Sequence, residues 1–232
     1  MKKTIILAAL LCAPGAAQAA DLSSRPVAVV DSGFSWTGIF AGVQGGGEFG
    51  TASGPFEFAN QTDATPYSID LNGGLLGGRI GYNWQVNSFV FGVEGDLNAI
   101  LGAKGSQPNL LSSDTYYYEV HANSTWSADV LALAGVAFDR ALLFVDGGIA
   151  FGAVTTKYGY TGAPPALSVT TQRVGYALGA GLEYAFTRNI IGSAEYRYTD
   201  LGRTSFTDIP FDTYDDVKFT SSAVIVGVAY KF

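Results

Sequence analysis

The chain has 232 residues, and its 13 Lys and Arg against 20 Asp and Glu give a formal charge of −7. That balance speaks against a nucleic-acid partner. Thirty Gly and 28 Phe and Tyr (15 plus 13) stand beside only 14% charged residues, yet no apolar run reaches the ~20 residues of a spanning helix. Residues 130–154 come nearest, but they carry Asp139, Arg140, Asp146 and four Gly, so a spanning helix is not expected there.

The first 19 residues read as a secretory signal peptide. Lys2 and Lys3 form a basic start, residues 4–13 an apolar core, and Ala17-Gln18-Ala19 an A-x-A cleavage site. Cleavage is expected after Ala19 or Ala20, which changes the charge from −7 to −9 (11 basic minus 20 acidic). Cys12, the only cysteine, leaves with this peptide, so the exported chain has neither disulfide nor thiol chemistry. An exported, apolar, Gly-rich chain without helical spans implies a closed β-barrel, because in lipid every backbone polar group must be paired internally.

Residues 20–35, with Pro26 and little periodicity, read as a periplasmic leader, and residues 36–232 as the barrel. Strand one is predicted over 36–49, with Ile39, Ala41 and Val43 on one face and Gly38, Gly42, Gln44 and Glu48 on the other. Residues 50–71, polar and holding Pro55 and Pro66, read as a loop. Strand two, over 72–85, sets Leu76, Ile80, Tyr82 and Trp84 against Gly77, Arg79, Gly81 and Asn83. After a tight turn at Val86-Asn87-Ser88, strand three over 89–99 sets Phe89, Phe91, Val93 and Leu97 against Gly92, Glu94, Asp96 and Asn98. Apolar outside, small or charged inside, with aromatics near the short turn, is the two-residue period of a membrane barrel. The Gly-rich run 71–78 has no helix after it and is no phosphate loop; its glycines relieve crowding inside the barrel.

The hairpin recurs, with short turns at Phe138-Asp139-Arg140 and at Phe186-Thr187-Arg188-Asn189. Each returning strand carries an inward acid, Glu94, Asp146 or Glu195, and each incoming strand an inward Gly, at 81, 135 and 181, continued by Gly227. A repeat of this kind, with the first and last strands as a split fourth unit, predicts eight antiparallel up-and-down strands. Residues 100–123, 153–168 and 201–216 read as further long loops. Long loops face outward from the cell and short turns face the periplasm in such barrels, which places both termini in the periplasm. The final strand alternates Val224, Val226, Val228, Tyr230 and Phe232 with smaller or polar residues and ends on an aromatic.

An eight-stranded barrel has room inside only for side chains. Parity places seven acids inward (Glu48, Glu94, Asp96, Asp129, Asp146, Glu183, Glu195) against Arg79, Arg173 and Arg197. Arg79, Glu94 and Glu195 fall near mid-strand, with Arg197 slightly above. Unpaired charge is costly there, so Arg79 is expected to pair with Glu94 across their hairpin. Removing Arg79 should then leave Glu94 and Glu195 facing each other. Such a network acts either as a gate for a narrow pore or as a static plug. The plug, which needs only satisfied charges, is the preferred reading. His121, the only histidine, is expected in the second long loop as a solvated residue, and Tyr116-Tyr117-Tyr118 as a strand extension or a sticky surface. One loop histidine without a nucleophile and acid beside it offers no catalytic constellation, metal site or cofactor site, and no enzyme is expected.

Phe34-Ser-Trp-Thr-Gly38, Gly81-Tyr-Asn-Trp84, Phe138-Asp-Arg-Ala141, Glu195-Tyr-Arg-Tyr-Thr-Asp-Leu-Gly202 and the terminal Tyr-Lys-Phe resemble the porin-like surface-antigen family of alphaproteobacterial outer membranes. These are small barrels similar to the OmpA transmembrane domain. The resemblance implies an outer-membrane location among lipid and lipopolysaccharide. It also implies insertion by the barrel-assembly machinery through Val228, Tyr230 and Phe232, and a role in envelope integrity or in contact with a host or surface partner. The alternative it implies is a narrow porin-like channel or haemin-binding transport. The chain departs from its relatives at Leu131 and Leu133, where they resemble an inward Arg-x-Arg pair.

Overall fold

The computed structural model describes residues 34–58, 65–107, 112–113, 116–160, 167–206 and 213–232. The expected signal peptide, with Ala17 and Ala19, lies outside them. No helix occurs among the described residues. The strands are β1 (Gly38–Phe58), β2 (Thr65–Val86), β3 (Phe89–Leu101), β4 (Lys104–Gln107), β5 (Ser112–Ser113), β6 (Tyr116–Phe138), β7 (Ala141–Tyr160), β8 (Leu167–Ala185), β9 (Ile190–Phe206) and β10 (Thr213–Lys231). Antiparallel neighbours run β3-β2-β1-β10-β9-β8-β7-β6, and pairing of β3 with β6 closes the ring. β4 carries the β3 stave onward past Gly102 and pairs with β6, and the two-residue β5 pairs with β6 near its start. The barrel therefore has eight staves, as the hairpin repeat predicts.

Asn87 and Asp139 hold φ of 56° and 54° at two of the short turns. These are side chains that tolerate the left-handed region. From those turns the side chains divide by parity. Val43, Leu76, Ile80, Phe91, Leu97, Val145, Leu178 and Val226 face outward, each more than half exposed. Gln44, Arg79, Glu94, Glu183, Arg197 and Ile225 are buried inside. Val224, Val228, Tyr230 and Phe232 also face outward. Tyr82 with Trp84, Tyr184 with Phe186, and Tyr230 with Phe232 pack tilted or edge to face at 4.6–5.2 Å near the short-turn end. Tyr176 and Tyr198 meet at 6.4 Å toward the other end. Tyr184 and Tyr176 bound one stave of the apolar belt and stand about 26 Å apart along it at ~3.3 Å per residue.

The four long stretches expected as loops are mostly strand. β1 continues to Phe58 and β2 starts at Thr65, with Ser53 opposite Ser68 and Pro55 opposite Pro66. His121 lies in β6, not in a loop, and Tyr116 opens that strand. β7 runs to Tyr160, and β9 and β10 stay paired as far as Phe206 and Asp215. The physical reason is that the ladder outlasts the membrane. Where the wall leaves lipid its outward side chains become Ser, Thr and Asn, so the hydrophobic alternation fades while the backbone pairing goes on. The short-turn end also differs from expectation. Trp36 precedes the ladder instead of opening strand one. Phe34, assigned to the leader, turns into the barrel mouth with it.

The Gly-rich run shows why its glycines alternate in need. A methyl group at inward Gly77 would collide with the Leu97 carbonyl and with Asn98, whereas one at outward Gly78 finds the Gly42 carbonyl 3.5 Å away. Gly77→Ala is therefore expected to cost about 1–3 kcal/mol by overpacking, and Gly78→Ala no more than ~0.5 kcal/mol. Urea titration of the two refolded variants in detergent decides it, and equal midpoints would contradict the crowding account.

Candidate functional site

The lumen is layered. At the short-turn end Phe34, Trp36, Val90, Leu133, Leu142, Phe144 and Ile191 form one buried apolar cluster. Phe34 and Trp36 meet edge to face at 4.9 Å, the Trp36 amide donates to Gln85 Oε1 at 2.7 Å, and the Lys231 ammonium lies 5.5 Å over the Phe34 ring. At the far end Ile69, Leu71, Leu75, Ile100, Leu131, Val154, Leu201, Val217 and Phe219 belong to a second cluster. Leu131 and Leu133 face inward, one in each cluster.

Between the clusters lies a belt of charge. Arg79 on β2 donates from Nη2 to Glu94 Oε2 at 2.8 Å and to Glu183 Oε1 at 2.6 Å, and from Nη1 to Ser193 Oγ at 3.0 Å. Its guanidinium also sits 5.1 Å from the centre of the Phe40 ring. Arg197 on β9 binds both oxygens of Glu195 at 2.6 and 3.0 Å, and reaches Asp96 at 2.5 Å and Asp129 at 3.1 Å. Both arginines and the five acids they bind are buried. Gln44 donates to Asn98 at 2.9 Å, and Arg173 donates to the Val217 carbonyl at 2.9 Å.

Arg79 and Glu94 are brought together, though not as direct opposites: Arg79 stands opposite Asp96, and Glu94 opposite Gly81. Arg79 takes the diagonal acid, and its directly opposite acid goes to Arg197. Glu195 belongs to Arg197, so the expectation that Glu195 would face Glu94 once Arg79 is removed is corrected: the second acid on Arg79 is Glu183. Inward parity had found Glu183, Asp96 and Asp129. It cannot say which residues meet across the lumen, because that depends on the stagger of the closed sheet. The belt holds two Arg and five acids, a formal charge of −3 (2 minus 5).

The arginines work as cross-braces. Arg79 joins β2 to β3, β8 and β9, and Arg197 joins β9 to β3 and β6. Above the belt a cavity of about 30 Å³ is lined by Glu48, Asn98, Asp129, Arg197 and Phe219 among others, room for about two waters. Among the described residues no group of three or more His, Cys, Asp and Glu is arranged to hold a metal ion.

A closed antiparallel barrel, apolar toward lipid and ion-paired within, defines an integral outer-membrane β-barrel protein. The chain matches the outer membrane protein beta-barrel domain over residues 5–232 and belongs to that family. It is 31% identical over 245 residues to the 31 kDa outer-membrane immunogenic protein of Brucella melitensis, covering 99% of this chain and 100% of that protein. With the 25 kDa outer-membrane immunogenic protein of Brucella abortus it shares 29% over 234 residues, 98% and 96% of the two chains. Among solved structures it is similar in fold to the outer membrane protein OprG from Pseudomonas aeruginosa, with a TM-score of 0.52, 15% identity, and coverage of 86% of this chain and 98% of that one. The protein resides in the cell outer membrane.

Proposed function

We propose that this protein is a non-conducting structural barrel of the envelope, with its short turns and both ends of the chain in the periplasm and its long hairpins outside. The observation that carries the reading is the layered lumen: two apolar clusters enclose a belt in which both arginines bind acids from other staves. An ion crossing it would have to displace buried aromatic and aliphatic side chains and then part the pairs, and a 30 Å³ cavity provides no path. The barrel serves the envelope by its bulk and by its extended outer wall, which offers a surface to neighbouring lipid, lipopolysaccharide and external partners. No catalytic or cofactor role is part of this reading.

The expected result in a planar bilayer is baseline conductance for the refolded protein, with Arg79→Ala raising it little. Steady single-channel steps from the wild type would overturn the plug in favour of a narrow channel. Orientation is tested separately. Protease added to intact cells should cut within residues 50–71, 100–123, 153–168 or 201–216, and cleavage confined to Asn87, Asp139 or Arg188 would invert it.

The outward row Val228, Tyr230 and Phe232 is the part of the chain offered to the barrel-assembly machinery in this reading. Deleting Phe232 should lower the amount of heat-modifiable protein in the outer membrane while leaving refolding of the purified chain in detergent intact. Equal loss in both settings would assign Phe232 a packing role instead.

A further inference from the structure

The cations of this chain are unevenly spent. Of 13 Lys and Arg, three lie within residues 1–33, Arg79, Arg173 and Arg197 face the lumen, and Arg140, Arg188 and Lys231 lie at the short-turn end. On the outer wall beyond the belt, Lys218 is bound to Asp200 at 3.1 Å, and the thirteenth cation, Arg203, stands opposite it and is also engaged. Lys104 and Lys157 are different: among the described residues no acid lies within ion-pair distance of either. They flank one concave groove of about 480 Å³, lined also by Ser106, His121, Asn123 and Thr155. The ladder explains the grouping. Lys104 stands opposite Asn123 and Ser106 opposite His121, while Asn123 stands opposite Thr155 and His121 opposite Lys157. Two rungs across three adjacent staves thus gather two ammonium groups, an imidazole, an amide and two hydroxyls. With staves ~4.8 Å apart and rungs ~6.6 Å apart, the two lysine backbones are about 12 Å from each other.

The groove also has a definite depth. On the same staves the outward side chains are Leu101, Trp126 and Phe151 just before they become Lys104, Asn123 and Thr155. The groove therefore begins within a rung or two of the edge of the apolar belt, the level of lipid headgroups. Like charges gathered on neighbouring strands are unfavourable by themselves. An anion held between them would offset that repulsion. A flexible lysine ammonium suits a phosphate as a point charge, and the amide and hydroxyls supply further hydrogen bonds.

We propose that this groove binds the phosphate of an outer-leaflet glycolipid, the lipid A phosphates of lipopolysaccharide. The inference rests on the orientation argued above, because it needs the long hairpins to lie on the outer-leaflet side. The protease experiment tests that orientation independently, so failure of the groove alone leaves the orientation standing.

The test is a binding titration of the folded barrel in zwitterionic detergent against three probes: purified lipopolysaccharide, the same material dephosphorylated, and inorganic phosphate. Lys104→Ala and Lys157→Ala should each weaken lipopolysaccharide binding roughly fivefold, and the double variant about 25-fold. Added salt should weaken it further. Lys218→Ala, whose lysine is already paired, should change it less than about twofold. Dephosphorylated lipopolysaccharide should bind the wild type as weakly as intact lipopolysaccharide binds the double variant. Undiminished binding by the double variant, or equal binding of the dephosphorylated lipid, overturns the proposal. Saturation by inorganic phosphate at the same concentration as lipopolysaccharide would assign the groove to a small anion and overturn the glycolipid. The dephosphorylation comparison uses only the wild type, so it decides the matter even if a variant folds poorly.

Discussion

Arg197→Ala should produce the largest loss of stability of any single substitution in the lumen. Its guanidinium holds Glu195, Asp96 and Asp129 at 2.5–3.1 Å. Without it three buried carboxylates from three staves face one another with no cation bound to them. Breaking one side of a buried pair costs about 3–5 kcal/mol, and three orphaned acids place this variant at the upper end of that range. Arg197→Lys restores the charge but not the fork that spans Glu195 in two bonds, so it should recover only part of the loss. The measurement is the urea midpoint of the heat-modifiable form in detergent. A midpoint unchanged in Arg197→Ala would mean that water reaches the belt freely, and the plug would have to be abandoned with it.

The second large effect is a coupling. Arg79→Ala alone leaves Glu94 and Glu183 without their shared partner, whereas Arg79→Ala with Glu94→Ala leaves only Glu183. The double variant should therefore be more stable than the single one. The double-mutant cycle should give an interaction energy of about 0.5–3 kcal/mol, the range for residues in one network. Adding Glu183→Gln should bring the variant closer still to wild type, because replacing every member of a buried ionic group is often nearly neutral. Strict additivity between Arg79 and Glu94 would show that the 2.8 Å contact has no energetic weight, and the braces would have to be redrawn.

What was legible before the structure was whatever depends on parity. Each of Arg79, Glu94, Asp96, Asp129, Glu183, Glu195 and Arg197 is assigned inward by counting twos from the apolar row, and all are buried. The short turns were equally legible, because Asn and Asp in a two-residue hairpin are a local signal. Contacts across the lumen were not. Arg79 meets Glu183 over a separation of 104 residues, and nothing in either neighbourhood encodes that meeting. The length of the staves was missed for a different reason. Beyond the belt, Thr155 opposite Thr170 and Ser53 opposite Ser68 are polar on the wall and read as loop, although their backbones remain paired. Phe34 and Trp36 were hidden because a short aromatic segment before a strand has no period to betray that it folds inward.

The overlong staves turn the barrel into a mast. On β6 the stretch from Trp126 back to Tyr116 stands clear of the belt, about 33 Å along the strand or roughly 25 Å of height at the tilt usual for barrels. Anything carried at its tip is held at a set stand-off by a hydrogen-bonded framework, not trailed on a flexible tether. A partner engaging the tips would have no need to immobilise the supporting wall, so the ordering cost of capture would be confined to the tip residues. Changes of sequence there would also lie far from the braced lumen, leaving the tips free to vary while the anchor stays the same.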